Sequence, residues 1–433
     1  MRSETERLHR PFWHVCAGCA VVLFSLFALT TTPARSEIQA GKFRPFLSVA
    51  CEAPFTDPQR FRQAAPGLRI LEHDIDTFAG TPGRARTVLL LADGQLLEIN
   101  ALFPGNRLRR ISLALSDAKP LNSLSTDDAC RITEAREIVY DDQGRAEAIR
   151  VYQNDLLTVR DDIPLNPPAP VGDDPGGISV GLIDSGVNYT LSPFYERLAR
   201  MADGTLIGRD YWDGDDLPYD VDTGRSAFFP LHHGSAVMSV LIREAPMARV
   251  LPVRYPRPDM SRMADAVAWL AERDVRIVNL AMGSNDAEEW QAFTDAAKRH
   301  PRMLFIISAG NNGRNIDTIP VYPAASDLPN TIVVTSSEVD GRLAQGSNWG
   351  AQHVDIMTPG ERIPVTDHRG APGKASGSSF AVPRITALAV RALAHYPDWH
   401  GPELREWILK RARLLDGPRL TRYGWIPDPS DGP

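Results

Sequence analysis

Cysteine is scarce in this chain. There are four in 433 residues, and two of them, Cys16 and Cys19, fall in an apolar stretch near the N-terminus. No Cys/His spacing of the kind that closes a zinc site is found. Cys51 and Cys130 remain, an even pair that reads as one disulfide in an exported chain or as two buried thiols. Positive charge is also short. Lys and Arg number 47 against 54 Asp and Glu, a net charge of −7, with no basic stripe, which argues against nucleic acid as a partner. Beyond the N-terminal stretch no apolar run is long enough to span a membrane. No fixed-period repeat is found.

What is present begins with Arg2, Arg7 and Arg10, then an apolar run from Val15 to Leu29, then Ala34-Arg35-Ser36. This order predicts a secretory signal peptide over residues 1–36. The alternative is an uncleaved N-terminal membrane anchor, since the run to Thr32 approaches spanning length. Removing residues 1–36 takes away four basic and two acidic side chains, so the charge moves from −7 to −9. The rest of the chain suits two domains. Residues 37–162 read as a smaller β-rich or α+β unit. Within it Thr87–Leu91 and Gln95–Ile99 flank Ala92-Asp93-Gly94, and Ile138–Tyr140 and Ala148–Tyr152 flank Asp141–Gly144. Both patterns predict hairpins. Residues 163–177, rich in Pro, Asp and Gly, predict a linker. A larger domain over 178–425 and a tail over 426–433 complete the division.

Four short segments in the larger domain carry chemistry. Ile178–Ile183 predicts a buried strand, with Asp184 at its end, where open α/β sheets place their ligands. His233-Gly234 opens the small and apolar stretch Ser235–Ile242, the pattern of a helix packed closely on a sheet. Leu304–Ile307 predicts a second core strand, running into Ser308-Ala309-Gly310-Asn311. Gly377-Ser378-Ser379 precedes an apolar helix with Pro383 in its first turn, so Ser379 is expected at a helix N-terminus, where negative charge is favoured. Taken singly, each has a plain structural reading: a turn aspartate, a helix-cap serine, a tight Asn-Asn-Gly turn. Together they supply an acid, an imidazole, a hydroxyl and a side-chain amide, the groups that acyl transfer through a triad requires.

The order Asp, His, Ser and the words around it resemble the subtilisin family. Asp184-Ser185-Gly186 is similar to that family's Asp-Thr/Ser-Gly, and His233-Gly234-Ser235 to its His-Gly-Thr. Gly377-Ser378-Ser379-Phe380-Ala381-Val382-Pro383 is similar to its Gly-Thr-Ser-Met-Ala-x-Pro, and Gly346–Gly350 and Met357–Gly360 also fit. The resemblance covers residues of about 178–425. It implies an α/β fold with a mainly parallel sheet between helices, and an exported serine endopeptidase. In that reading Ser379 is the nucleophile, His233 the base, Asp184 its orienting acid and Asn311 the oxyanion donor. It selects His233 over the adjacent His232, because glycine follows His233 directly, and Asn311 over Asn312. Alternatives are a catalytically silent binding protein of the same fold, or an esterase or peptide transferase using the same triad.

The resemblance also implies a substrate groove. Ala281-Met282-Gly283 would border the first specificity pocket, and Val321 in Pro320-Val321-Tyr322-Pro323 would lie at its base and make it shallow. Residues 37–162 could be a prodomain that acts as an intramolecular inhibitor until it is removed, or a permanent accessory domain. No cofactor is required. Asp210, Asp213, Asp215, Asp216, Asp220 and Asp222 raise the question of structural calcium, but a solvated acidic loop beside the groove is the expectation, and no metal ligand is assigned. Protein or peptide substrates and a periplasmic or extracellular location follow.

Overall fold

The protein is described here by a computed structural model covering residues 40–78 and 80–431. The signal-peptide or anchor segment, 1–36, lies outside the described residues. The described residues begin with helix α1 (Ala40–Ala50), followed by a short 3-10 helix at Pro58–Gln63. Eight strands follow: β1 (Arg69–Phe78), β2 (Thr81–Leu90), β3 (Leu96–Leu102), β4 (Arg110–Asp117), β5 (Lys119–Thr126), β6 (Ile132–Tyr140), β7 (Ala146–Tyr152) and β8 (Val159–Pro164). They form one antiparallel sheet in chain order, each strand paired with the next. Both predicted hairpins are present, with Leu89 opposite Leu97 and Ile138 opposite Ile149. Gly94 takes φ +88° in the first turn, a conformation that costs glycine little.

Side chains alternate across a strand, and here the alternation separates two cores. Leu89, Ile99 and Leu113 turn to one face and bury Phe43 and Phe46 of α1. A disulfide between Cys51 and Cys130 ties the end of α1 to the β5–β6 turn. At the far end of the sheet Ile138, Ile149 and Val151 join the core of the larger domain. The stretch expected to be a linker, residues 163–177, lies against the larger domain. β8 continues to Pro164, two residues into it, and the chain beyond is bound along its length. Leu165 is buried. Tyr189 donates to the Pro167 carbonyl at 2.7 Å, and Arg200 to the Pro170 carbonyl at 2.7 Å. Arg249 pairs with Asp174 at 2.7 Å.

The larger domain contributes β9 (Ile178–Asp184), β10 (Arg209–Asp210), α2 (Gly234–Glu244), β11 (Ala248–Arg254), α3 (Met263–Ala271), β12 (Ile277–Leu280), α4 (Gln291–Arg299) and β13 (Leu304–Ser308). It continues with β14 (Thr331–Ser337), β15 (Ile356–Pro359), β16 (Ile363–Thr366), β17 (Pro372–Ala375), α5 (Ser378–His395), α6 (Gly401–Leu409) and β18 (Gly424–Trp425). Eight of these strands form a parallel sheet in the order β10-β11-β9-β12-β13-β14-β15-β18. Its strands are apolar on both faces, as a sheet covered on both sides requires. Leu304 and Ile306 pack with α2 and α5, while Phe305 and Ile307 pack with α3 and α4. This is the α/β arrangement expected, with an antiparallel β-rich unit before it. The domain outlasts its predicted end. Ile426, placed at the start of a tail, is buried and donates its N–H to Met357 at 2.9 Å.

The disulfide closes a span of 79 residues. Chain-entropy arguments assign a loop of that size about 4 kcal/mol. Replacing Cys51 and Cys130 together by serine is expected to destabilise the N-terminal sheet by that order, read from urea unfolding of tyrosine and amide signals. An unchanged midpoint would show that α1 and the sheet hold without the cross-link.

Candidate active site

β9 lies inside the sheet between β11 and β12, so its last residue emerges at the strand-end rim with neighbours on both sides. That residue is Asp184. Its carboxylate is 3% exposed. Oδ1 accepts the Ser185 N–H at 2.8 Å and faces His233 Nδ1 at 2.7 Å. The chain then turns at Gly186, whose φ is +98° and where a Cβ would stand 2.2 Å from the Tyr219 carbonyl oxygen. Gly234 is equally constrained, because a Cβ there would meet the Gly186 oxygen at 2.0 Å. Two glycines thus let the end of β9 and the start of α2 touch.

His233 is the N-cap residue of α2. Its position is fixed from beneath. Ser185 Oγ donates to Asp220 Oδ1 at 2.6 Å and accepts the Gly234 N–H at 2.9 Å. Asp220 Oδ1 accepts the His233 N–H at 3.0 Å, and Oδ2 accepts the Ser235 N–H at 2.9 Å. Asp220, 1% exposed, is therefore the anion that caps α2. Sequence reasoning gave it no such role, since nothing local distinguishes it among six aspartates. Burial works to lower the His233 pKa, but Asp184 with its hydrogen bond, then Asp220 and Asp222, raise it by more, and it lies above the ordinary 6.5. His232 serves elsewhere. It hydrogen-bonds the Asp220 carbonyl and stacks on His368 with ring centres 3.5 Å apart. Burial lowers His368 to about 4.

Ser379 is the second residue of α5, and Gly377 precedes the helix at φ +124°. Pro383 is the sixth helical residue rather than a first-turn one. It therefore offers no N–H to the Ser379 carbonyl. The Ser379 hydroxyl donates to the Ala281 carbonyl at 3.2 Å, and no hydrogen bond joins it to His233. The ring of Phe380, the next residue, lies 5.9 Å from that of His233. Ser378 is the anchor of this turn. Its N–H and hydroxyl both reach Asn311 Oδ1 at 2.9 Å, and Ser308 Oγ lies 2.7 Å from its hydroxyl. This assigns the Asn311 amide, whose Nδ2 has no hydrogen-bond partner among the described residues. That nitrogen is 3.2 Å from where a Gly377 Cβ would be. Asn312 is used in its own turn, its N–H donating to Asn348 Oδ1 at 2.9 Å.

Ala281, Met282 and Gly283 leave β12 along one wall. Ser284 and Tyr322 exchange backbone hydrogen bonds at 2.8 and 2.9 Å. This brings Val321, which is buried, to 3.4 Å from a Cβ placed on Gly283 and 3.7 Å from one on Gly310. Val321 thus lies between the two segments that flank the serine.

Of the six aspartates between Asp184 and His233, Asp210 and Asp220 are buried, while Asp213 and Asp216 stay exposed, with side chains 43% and 72% accessible. Asp210 is fully buried and pairs with the buried Arg254 at 2.8 Å, and Asp213 meets the same guanidinium at 2.5 Å. Burial raises the Asp210 carboxyl to about 6 against the pull of Arg254. Asp215 accepts from Asn166 at 2.7 Å, Asp216 pairs with Arg209 at 2.7 Å, and Asp222 accepts from the Tyr255 hydroxyl at 2.8 Å. The expected solvated loop is present only in part: Asp213 and Asp216 face solvent, while Asp210 and Asp220 are internal. Among the described residues no group of three or more His, Cys, Asp or Glu side chains is arranged to hold a metal ion.

Residues 176–425, more than half of the chain, match the family model described as the subtilase family, Peptidase S8. A thermophilic serine proteinase of Bacillus sp. (strain AK1) is 27% identical over 266 residues, covering 58% of this chain and 60% of the relative. A halolysin-like extracellular serine protease of Natrialba magadii is 28% identical over 254 residues, covering 55% and 43%. The chain thus spans about half the length of these curated relatives. Among solved structures, a cold adapted subtilisin-like serine proteinase aligns at 21% identity and TM-score 0.47, covering 61% of this chain and 93% of that one. A lanthipeptide protease aligns at 20% and 0.49, covering 58% and 86%.

The electrostatics of His233 can be checked directly. Its imidazole is expected to titrate above 6.5 by NMR. With Asp184→Asn the midpoint should fall, because the strongest attraction raising it is removed while Asp220 and Asp222 remain. A midpoint unmoved by that substitution would show that Asp184 is not its partner in solution.

Proposed function

The chain belongs to the subtilase family, and from that premise we propose that it is an exported serine endopeptidase. The observation that carries the reading is the 2.7 Å bond between Asp184 and His233, set beside a helix N-terminus that presents Ser379. In this mechanism the Ser379 hydroxyl leaves the Ala281 carbonyl and turns to His233. The imidazole takes its proton as the oxygen attacks the scissile carbonyl, and later gives it to the leaving amine. Asp184 fixes the tautomer through Nδ1 and stabilises the imidazolium that forms. The oxyanion is met by the uncommitted Asn311 Nδ2 and the Ser379 backbone N–H, with the α5 dipole behind them. Because Ser378 holds Asn311 Oδ1, the donor is positioned before substrate arrives. Export is supported by the N-terminal sequence pattern and by the disulfide, which persists in oxidising compartments. A relative whose name includes the word extracellular points the same way.

Ser379→Ala should abolish fluorophosphonate labelling and peptide hydrolysis while leaving the circular dichroism unchanged. Ser378→Ala should still label. Asn311→Ala should lower kcat by about 100- to 1000-fold with little change in KM. A labelled Ser379→Ala protein, or a normal kcat without the Asn311 amide, would sink these assignments.

The reading extends to specificity. Val321 occupies volume between the two walls, and overpacking such a site costs about 1–3 kcal/mol, or roughly 5- to 150-fold in selectivity. Small or medium apolar residues should therefore be preferred before the cleaved bond over Phe and Tyr. Val321→Gly should shift a peptide-library profile toward aromatics. A wild-type profile already dominated by Phe and Tyr would place the pocket base elsewhere.

A further inference from the structure

The chain that leads into His233 is held against the N-terminal sheet. Asp222 and Leu231 exchange backbone hydrogen bonds, both at 2.8 Å, closing the residues between them into a compact loop. Phe228 of this loop is buried in the core shared with β6 and β7. Arg136 of β6 donates to the Phe228 carbonyl at 2.8 Å, and its guanidinium lies 4.1 Å from the centre of the Phe229 ring. Beside this contact opens a cleft of about 640 Å³. One wall carries Arg225 and Phe229 from the larger domain; the other carries Phe78, Arg84 and Arg110 from the sheet.

The charge of this cleft is only partly compensated. Arg110 and Arg225 are exposed, and among the described residues neither has an ion pair or a hydrogen bond. Arg84 reaches only Asp76 at 3.5 Å and Asn100 at 3.2 Å. The single carboxylate in the lining, Glu98, is taken by Arg86 at 2.9 Å. Positive charge is thus concentrated here in a chain of net charge −7. Phe78 and Phe229, 48% and 38% exposed, add unburied aromatic surface. Phe229 precedes His233 by four residues, so the cleft begins at most about 14 Å from the histidine, a distance an extended substrate covers in about four residues.

We propose that this cleft is an exosite that binds an acidic stretch of a polypeptide substrate, about four or more residues away from the scissile bond. The proposal rests on the endopeptidase reading. It also requires that the N-terminal sheet stay attached to the active enzyme as an accessory domain. The bound course of residues 165–174 along the larger domain, with Asp174 paired to Arg249, favours that attachment, because a segment tied down in this way is a poor proteolytic site.

The test uses the full exported chain and two substrates with the same cleavable core, one extended by an acidic segment and one by a neutral segment of equal length. The acidic extension should lower KM about 10-fold in the wild type, and the gain should shrink in high salt. Arg110→Glu with Arg225→Glu should abolish the gain while leaving kcat/KM for the bare core peptide unchanged. A second readout needs no catalysis. Fluorescence anisotropy of a labelled acidic peptide should report binding to the Ser379→Ala protein and loss of it in the charge-reversed form. If the core peptide is not cleaved but the acidic peptide binds in this way, the endopeptidase reading fails and the acidic-segment site stands. Equal KM values for the two extensions in the wild type would overturn the exosite. So would a gain that survives charge reversal, tighter binding of a single-stranded oligonucleotide than of the peptide, or a fluorophosphonate-labelled enzyme that lacks residues 40–164.

Discussion

The clamp between the end of β9 and the start of α2 is the constraint on which the rest of the site depends. Ser185 Oγ and the Asp220 carboxylate together accept the N–H groups of His233, Gly234 and Ser235. A helix terminus leaves such donors without intrahelical partners, and here a buried anion meets them. The consequence is geometric. The first turn of α2 cannot rotate without breaking several charge-assisted bonds at once, so the imidazole of His233 stays at hydrogen-bond distance from Asp184. The same closeness explains why Gly186 and Gly234 admit no side chain.

A second clamp of the same kind holds the serine. Gly377 lets the chain enter α5 with φ at +124°, and Ser378 spends both its donors on Asn311. The residue that looks like a mere helix cap therefore fixes the amide expected to meet the oxyanion. Both clamps link strand ends to helix starts across one rim. Groups 49 and 67 residues apart in the chain, Asp184 with His233 and Asn311 with Ser378, meet there.

The N-terminal sheet enters this design through the region between Asp184 and His233. Its last strands share a core with Val221 and Phe228, and Asn166, just after the sheet, bonds Asp215. Beneath lies the buried Arg254–Asp210 pair, and breaking one side of such a pair typically costs about 3–5 kcal/mol. Arg254 pairs in register with Asp184 on the adjacent strand. The sheet is thus packed against the elements that carry Asp184 and His233.

The sequence by itself determined the local words: Asp184 at a strand end, His233 and Ser379 at helix starts, Asn311 beyond a core strand, and two hairpins with polar turns. These are legible because period-two and helical patterns, glycines and caps act over a few residues. It misjudged what depends on partners far along the chain. The aspartates before His233 read as hydrated, yet two of them are buried, Asp210 against Arg254 and Asp220 beneath His233. Residues 163–177 read as a linker, and nothing local shows that Tyr189, Arg200 and Arg249 bind Pro167, Pro170 and Asp174 within it. Ile426 read as tail, yet β15 takes its N–H. The cap supplied by Asp220, the stacking of His232 on His368 and the arginine-lined cleft are likewise products of tertiary structure. A charge or a turn reads the same in sequence whether solvent or a distant side chain satisfies it, and only the folded chain decides which.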